Sequence, residues 1–208
     1  MSENMPRFPK GQTLLIDADD TLWENNIYFE RAIAAFIGFL DHKEYSPAEV
    51  RQTLNAVERD TILTHGYGLT SFTHALVTCF ERLSPAPVTE DRRDRIRGFA
   101  RAIAEQEIEL LPGVEQTLAT LASRHKMILM TKGDHAEQAG KLARSGLAQY
   151  FAAVEIVAEK NPQTYRDVIA RLNVPARNAW MIGNSPKSDI NPALAAGLNA
   201  VFLFHKDT

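Results

Sequence analysis

Cysteine is nearly absent: Cys79 is the only one in 208 residues. A single thiol allows no intramolecular disulfide and no thiolate cluster for zinc, and it suits a reducing compartment. It falls in an apolar periodic stretch, where packing is its expected role. Runs of one charge are missing as well. The 23 Lys and Arg against 26 Asp and Glu leave a formal net charge of −3. The basic stretch Arg92-Arg93-Asp94-Arg95 is broken by acid and reads as the wet face of a helix. Without a basic patch there is no electrostatic footprint for nucleic acid or an anionic membrane surface. The longest apolar run, Ala32 to Leu40, falls short of the roughly 20 residues that cross a bilayer. The N-terminal MSENMPRFPKGQ lacks the apolar core of a secretory signal and reads as a loose leader. A cytoplasmic protein with no nucleic-acid partner and no membrane partner is expected.

A hydrophobic share of 45% over 208 residues is enough for one substantial core, alone or with a smaller appendage. Thr13-Leu14-Leu15-Ile16 reads as a buried strand that stops at the acidic Asp17-Ala18-Asp19-Asp20-Thr21. From Trp23 the spacing turns helical. Phe29, Ile33, Phe36 and Leu40 share one face, and three further helices follow around Leu54, Leu76 and Ile96. Pro47, Gly66, Gly68, Pro85 and Pro87 mark the joints between them. After Leu111-Pro112-Gly113 strands and helices alternate. Strands are expected at 127–130, 154–157, 179–182 and 200–203, with helices at 114–124, 135–145, 163–172 and 190–196. Alternation of this kind predicts an α/β fold, a Rossmann-like parallel sheet with helices on both faces. The expected division is a discontinuous core, 1–22 and 109–208, interrupted by an inserted all-helical unit at 23–108.

In open parallel sheets the ligand crevice lies beyond the carboxyl ends of the strands. Those ends deliver Asp17 and Asp19; Thr131, Lys132, Gly133 and Asp134; Lys160; and Gly183, Asn184, Ser185 and Asp189. Three carboxylates in one crevice repel, since like charges 4 Å apart cost about 4 kcal/mol at an effective dielectric near 20. A hard cation held by carboxylates, waters and a substrate phosphate answers that repulsion, which points to Mg²⁺. No His or Cys set at the strand ends favours zinc. His42, His65, His74, His125 and His205 show no metal spacing and read as ordinary surface or packed residues. Asp17 and Asp19, two apart on an extended segment, point the same way. One can attack phosphorus while the other handles protons. Thr131, the backbone N–H groups after it, and the Lys160 ammonium can hold phosphoryl oxygens. Asp134 and His135 are expected to begin the next helix, and Asp189, read alone, fits a helix N-cap.

The four segments resemble, in order, the motifs of the haloacid dehalogenase superfamily. Leu14 to Leu22 matches the first, Met127 to Gly133 the second, Lys160-Asn161-Pro162 the third, and Met181 to Asp189 the fourth. The helical insertion resembles that family's C1-type cap. The resemblance implies that Asp17 is the nucleophile and a Mg²⁺ ligand, and that Asp19 is the general acid/base with its main-chain carbonyl on the metal. It further implies that Thr131, Lys132, Gly133 and Lys160 bind phosphate. Asp189 would complete the metal site, with Asn184 as a neutral oxygen donor where the family often has Asp. Asp20, where Gly is common, is expected to serve the loop. Dehalogenases lack the second aspartate of the first motif, so Asp19 implies a Mg²⁺-dependent phosphatase acting on a small phosphorylated metabolite through an aspartyl phosphate. The alternatives are a phosphotransferase or mutase of the same family and a catalytically weakened ligand-binding member. A receiver-type signalling module is disfavoured, because the middle strand ends in Thr131-Lys132-Gly133 instead of Asp. Tyr67, Thr70 and Ser71, at the Gly66–Gly68 joint, are the cap residues placed to face the crevice.

Overall fold

The computed structural model describes residues 11–40, 44–84 and 87–205. Most of the leader, His42 and Pro85 lie outside them. In chain order the elements are β1 (Thr13–Ile16), α1 (Asn26–Leu40), α2 (Pro47–His65), α3 (Leu69–Leu83) and α4 (Glu90–Ala104), then α5 (Val114–Ala122) and β2 (Lys126–Lys132). They continue with α6 (His135–Ser145), β3 (Ala153–Val157), α7 (Pro162–Arg171), β4 (Ala179–Gly183), α8 (Asn191–Ala195) and β5 (Asn199–Phe202). The five strands form one sheet in the order β3-β2-β1-β4-β5, and every pairing is parallel.

Alternation within the buried strands gives the sheet its two covered faces. Leu14, Ile16, Met127 and Leu129 point to one side, where α5 brings Leu118 and α6 brings Leu142. Leu15, Ile128, Met130 and Met181 point to the other, against Tyr165 and Val168 of α7 and Ala193 of α8. The four helices α1–α4 have a core of their own, built on Phe36, Leu54, Leu76, Cys79 and Ile96. Their ends follow local sequence. Ser46 and Glu49 form a reciprocal capping box in front of α2, with Pro47 in its first turn, and Thr89 caps α4; each such cap contributes about 1 kcal/mol.

The chain leaves the sheet through Leu22–Glu24 and returns through Glu109–Leu111. These two segments pair with each other: Glu24 N–H donates to Glu109 O at 2.9 Å and Leu111 N–H to Leu22 O at 2.9 Å. Trp23, expected to open the helical stretch, is fully buried in the sheet-side cluster instead. The single helix expected at 190–196 is two pieces, a wide π-type turn at Pro186–Ile190 followed by α8. Pro186 and Pro192 remove backbone donors at both ends of that stretch, and π-type turns are often found at functional sites. Among the described residues no helix is long and apolar enough to cross a membrane.

Candidate active site

Strand order places β1 in the middle, with the chain running to β2 and β3 on one side and to β4 and β5 on the other. The reversal between β1 and β4 is the switch point where a crevice opens. A cavity of about 360 Å³ lies there, floored by the strand ends and walled by α1, α2 and α3.

Asp17 follows β1 directly and is almost closed to solvent, as are Lys160 and Asp189. The Lys160 ammonium bonds Asp17 Oδ1 and lies 2.7 Å from Asp189 Oδ1. One cation is thus shared by two buried carboxylates. Burial works to lower the Lys160 pKa, but the two carboxylates outweigh it and hold the ammonium above the ordinary lysine range. Burial pushes Asp17 up to about 6 against the pull of Lys160, with the neighbouring Asp189 charge adding to the rise. The free oxygens are steered by neighbours. Thr21 Oγ1 donates to Asp17 Oδ2 at 3.1 Å and reaches Asn184 Oδ1 at 3.2 Å, while Ser185 N–H donates to Asp189 Oδ2 at 2.9 Å.

Two local devices aim these groups. Asn161 is extended (φ −126°, ψ 169°) and caps α7 by accepting from Gln163 N and Thr164 N, so the residue before it, Lys160, projects into the cleft instead of joining the helix. On the other side Ser185, not Asp189, caps the turn by accepting from Ser188 N. That leaves the Asp189 carboxylate for the cleft, where it lies against β4. A Cβ at Gly183 would collide with it, so glycine is what permits the approach.

Asp19 is held by three side chains that the sequence patterns did not single out. Trp23 Nε1 donates to Oδ1 at 2.8 Å, Lys141 Nζ lies 2.8 Å from the same oxygen, and Gln138 Nε2 donates to Oδ2 at 2.9 Å. Gln138 and Lys141 stand one turn apart on α6. The available signal was Gln138, a polar residue on the buried face of an otherwise amphipathic helix. Its Oε1 also accepts from Thr131 Oγ1 at 3.4 Å, which ties β1 and β2 together.

The remaining expected residues divide. Thr131 is buried on the floor. Lys132 Nζ lies 3.1 Å from Tyr67 OH and 3.2 Å from Ser188 Oγ, and Tyr67 OH donates to Glu159 at 2.9 Å. The α2–α3 joint is therefore fastened to the sheet, and Leu69 N–H adds a bond to Glu137 at 2.8 Å. The Gly133 N–H, expected to face phosphate, donates to Val157 O at 3.1 Å. Gly133 serves through conformation: its φ of 143° suits glycine, and a Cβ would press on Gln138 at 3.3 Å. Asp134 caps α6 as expected. Ser71 lines the cleft and Thr70 does not. Asp20 (φ 57°) turns its carboxylate onto Asn25 N–H and Asn26 N–H at the start of α1, at 2.9 and 3.0 Å. His205 is packed, 3.4 Å from Glu24. Asp20, Glu24 and His205 bring ligand atoms within 4.8 Å of one another, a grouping their sequence spacing does not reveal. The helix cap and the His205–Glu24 contact account for it.

Comparison with known proteins agrees with this architecture. The chain is 28% identical over 204 residues to pyrimidine 5′-nucleotidase YjjG of Escherichia coli, covering 93% of this chain and 86% of that one. It is 30% identical over 118 residues to phosphoserine phosphatase of Thermus thermophilus, a match covering 53% of this chain and 47% of the relative. A solved haloacid dehalogenase-like family hydrolase from Xanthomonas campestris superposes with a TM-score of 0.88 at 34% identity, over 96% of this chain and 84% of that one. The model of the haloacid dehalogenase-like hydrolases matches residues 12–197, and the chain belongs to that family.

Proposed function

We propose that this protein is a Mg²⁺-dependent phosphatase that hydrolyses a small phosphorylated metabolite in the cytoplasm, through a phosphoryl group carried transiently on Asp17. The observation that carries the reading is the pair of carboxylates at one strand end. Asp17 shares the Lys160 ammonium with Asp189, and Asp19 is anchored by Trp23, Gln138 and Lys141. The names phosphatase and nucleotidase of the two relatives support the same class of reaction.

In the first step an Asp17 oxygen attacks phosphorus, the bond to the leaving oxygen breaks, and Asp19 gives that oxygen a proton. In the second Asp19 takes a proton from water as the water attacks phosphorus. Inorganic phosphate leaves and the Asp17 carboxylate is restored. Thr131 and Lys160 hold the phosphoryl oxygens, and Lys160 keeps Asp17 oriented. Trp23, Gln138 and Lys141 position Asp19 for both proton transfers.

The donor set fits a hard cation. Asp17 and Asp189 offer carboxylate oxygens, Asn184 an amide oxygen and Asp19 its main-chain carbonyl, while among the described residues no imidazole or thiolate lines the cleft. When bound, Mg²⁺ supplies positive charge against the phosphoryl oxygens. Residues 23–108 act as a cap over a core made of 1–22 and 109–208, and the paired crossing segments form its stem; closure keeps water out during the first step.

Phosphate release from an aryl phosphate in the presence of Mg²⁺ tests the reading. Asp17→Asn lowers turnover at least about a thousandfold with an unchanged circular dichroism spectrum, and chelation abolishes activity until Mg²⁺ is restored. Activity that survives either treatment contradicts it.

A further inference from the structure

The wall of the cleft carries one charged group that the proposed hydrolysis does not use. Glu58 stands on α2 one turn before Ile62, and both line the cavity. Beside them are Phe29 and Phe72, whose rings meet edge-on at 5.0 Å. The other carboxylates of the cleft are engaged. Asp17 and Asp189 share Lys160, Asp19 holds Lys141, Asp20 and Asp134 cap helices, and Glu137 accepts from Leu69 N–H. Glu58 has no hydrogen-bond partner among the described residues. The cation that acts on it, Arg51, is forked onto Glu30 at 2.7 Å through both terminal nitrogens. Burial already holds the Glu58 carboxyl above its ordinary range.

The charge count points the same way. Among the described residues seven carboxylates and three lysines line the cavity, with no arginine or histidine. A phosphate dianion arriving with a divalent cation leaves that excess of negative charge unchanged. We propose that the alcohol portion of the substrate carries an ammonium group, which Glu58 pairs with beside the aromatic pair Phe29 and Phe72. Carboxylate next to aromatic ring is the chemistry that recognises an alkylammonium. A nucleobase fits less well, because the three side-chain amides that line the cleft are already engaged, Asn25 with Lys141, Gln138 with Asp19 and Thr131, and Asn184 with Thr21. The substrate class is thus a short amino-alcohol phosphomonoester, a proposal that rests on the phosphatase reading above.

The test compares ω-aminoalkyl phosphates with ω-hydroxyalkyl and plain alkyl phosphates of equal length, by kcat/KM for phosphate release. The best amine exceeds both neutral partners by about tenfold or more, the effect of one ion pair of roughly 1.4 kcal/mol. Glu58→Gln collapses the amine-to-hydroxyl ratio to near unity, and Glu58→Lys turns the preference toward ω-carboxyalkyl phosphates. Turnover without an amine preference, or a preference that survives Glu58→Gln, overturns this proposal alone. Absence of turnover for every phosphate, aryl phosphate included, overturns the phosphatase reading and this proposal with it.

Discussion

The floor and the wall of the cleft are built on opposite rules. On the floor, charged side chains at the ends of parallel strands are buried and tied to one another: Lys160 to Asp17 and Asp189, Lys141 and Gln138 to Asp19. On the wall, three of the four helices that pack around a common apolar core lend the cavity aromatic and aliphatic surface with few polar groups. A floor held by strands and a shared ammonium keeps one geometry, which suits chemistry that is the same for every phosphomonoester. A wall of helix faces changes its character with a single side chain, which suits selection of the leaving group. The two meet at few points, chiefly Tyr67 with Lys132 and Glu159, and Leu69 with Glu137.

That contrast can be broken from either side. The largest effect is expected at Lys160→Met, which keeps the shape but leaves two buried carboxylates without their cation. Turnover of an aryl phosphate should fall about a thousandfold, or about 4 kcal/mol; steady-state assay with circular dichroism as control checks it, and a loss under tenfold would deny Lys160 its place on the floor. Next comes the core behind the wall. Leu54 is fully buried among the helices, and Leu54→Ala should lower the unfolding free energy by about 3 kcal/mol in urea titration. A smaller effect is expected at Asn184→Asp, which adds a negative charge beside Thr21 and Asp17. The Mg²⁺ concentration for half-maximal activity should fall about threefold to tenfold; an unchanged value would remove Asn184 from the cation site.

The smallest concerns Cys79, buried in the helical core, whose thiol is pushed up from 9.0 to about 11 by burial. The unfolded chain loses this proton first, so the thiol's contribution to stability is whole below pH 9 and is lost as pH rises from 9 to 11. Across that window the urea midpoint should drop more steeply for the natural protein than for Cys79→Ala. Equal slopes would show that the helical core does not constrain the thiol.

The same contrast decides what could be read from the sequence. Strand ends were legible because β1, β2 and β4 are short apolar runs that stop at polar residues, and such a stop can be seen without neighbours. Asp17, Asp19, Thr131, Lys160 and Asp189 meet for that reason. The groups that hold Asp19 come from the crossing segment and from α6, and their convergence depends on helix rotation and packing, which linear spacing does not state. Gly133 shows the opposite error. A glycine at the end of the second motif invites the reading of an open N–H, but the sheet takes that N–H at Val157 and uses the glycine for its φ. Asp189 could be read as a cap only because the wide turn at Pro186–Ile190 was invisible; Ser185 supplies the cap and leaves the carboxylate to the cleft. Glu58 had no mark in the sequence, since a glutamate on an amphipathic helix looks like solvent-facing charge until the sheet is placed opposite.

On the proposed reading the floor acts through a covalent phosphoryl group on Asp17. This claim is tested most directly by acid quench of the enzyme during turnover of a labelled phosphomonoester with Mg²⁺, followed by peptide mapping. The account predicts one labelled phosphoryl group on the peptide that bears Asp17, absent in Asp17→Asn and chased to inorganic phosphate by time. Phosphate released at full rate with no label on the protein, or label on another residue, would contradict it.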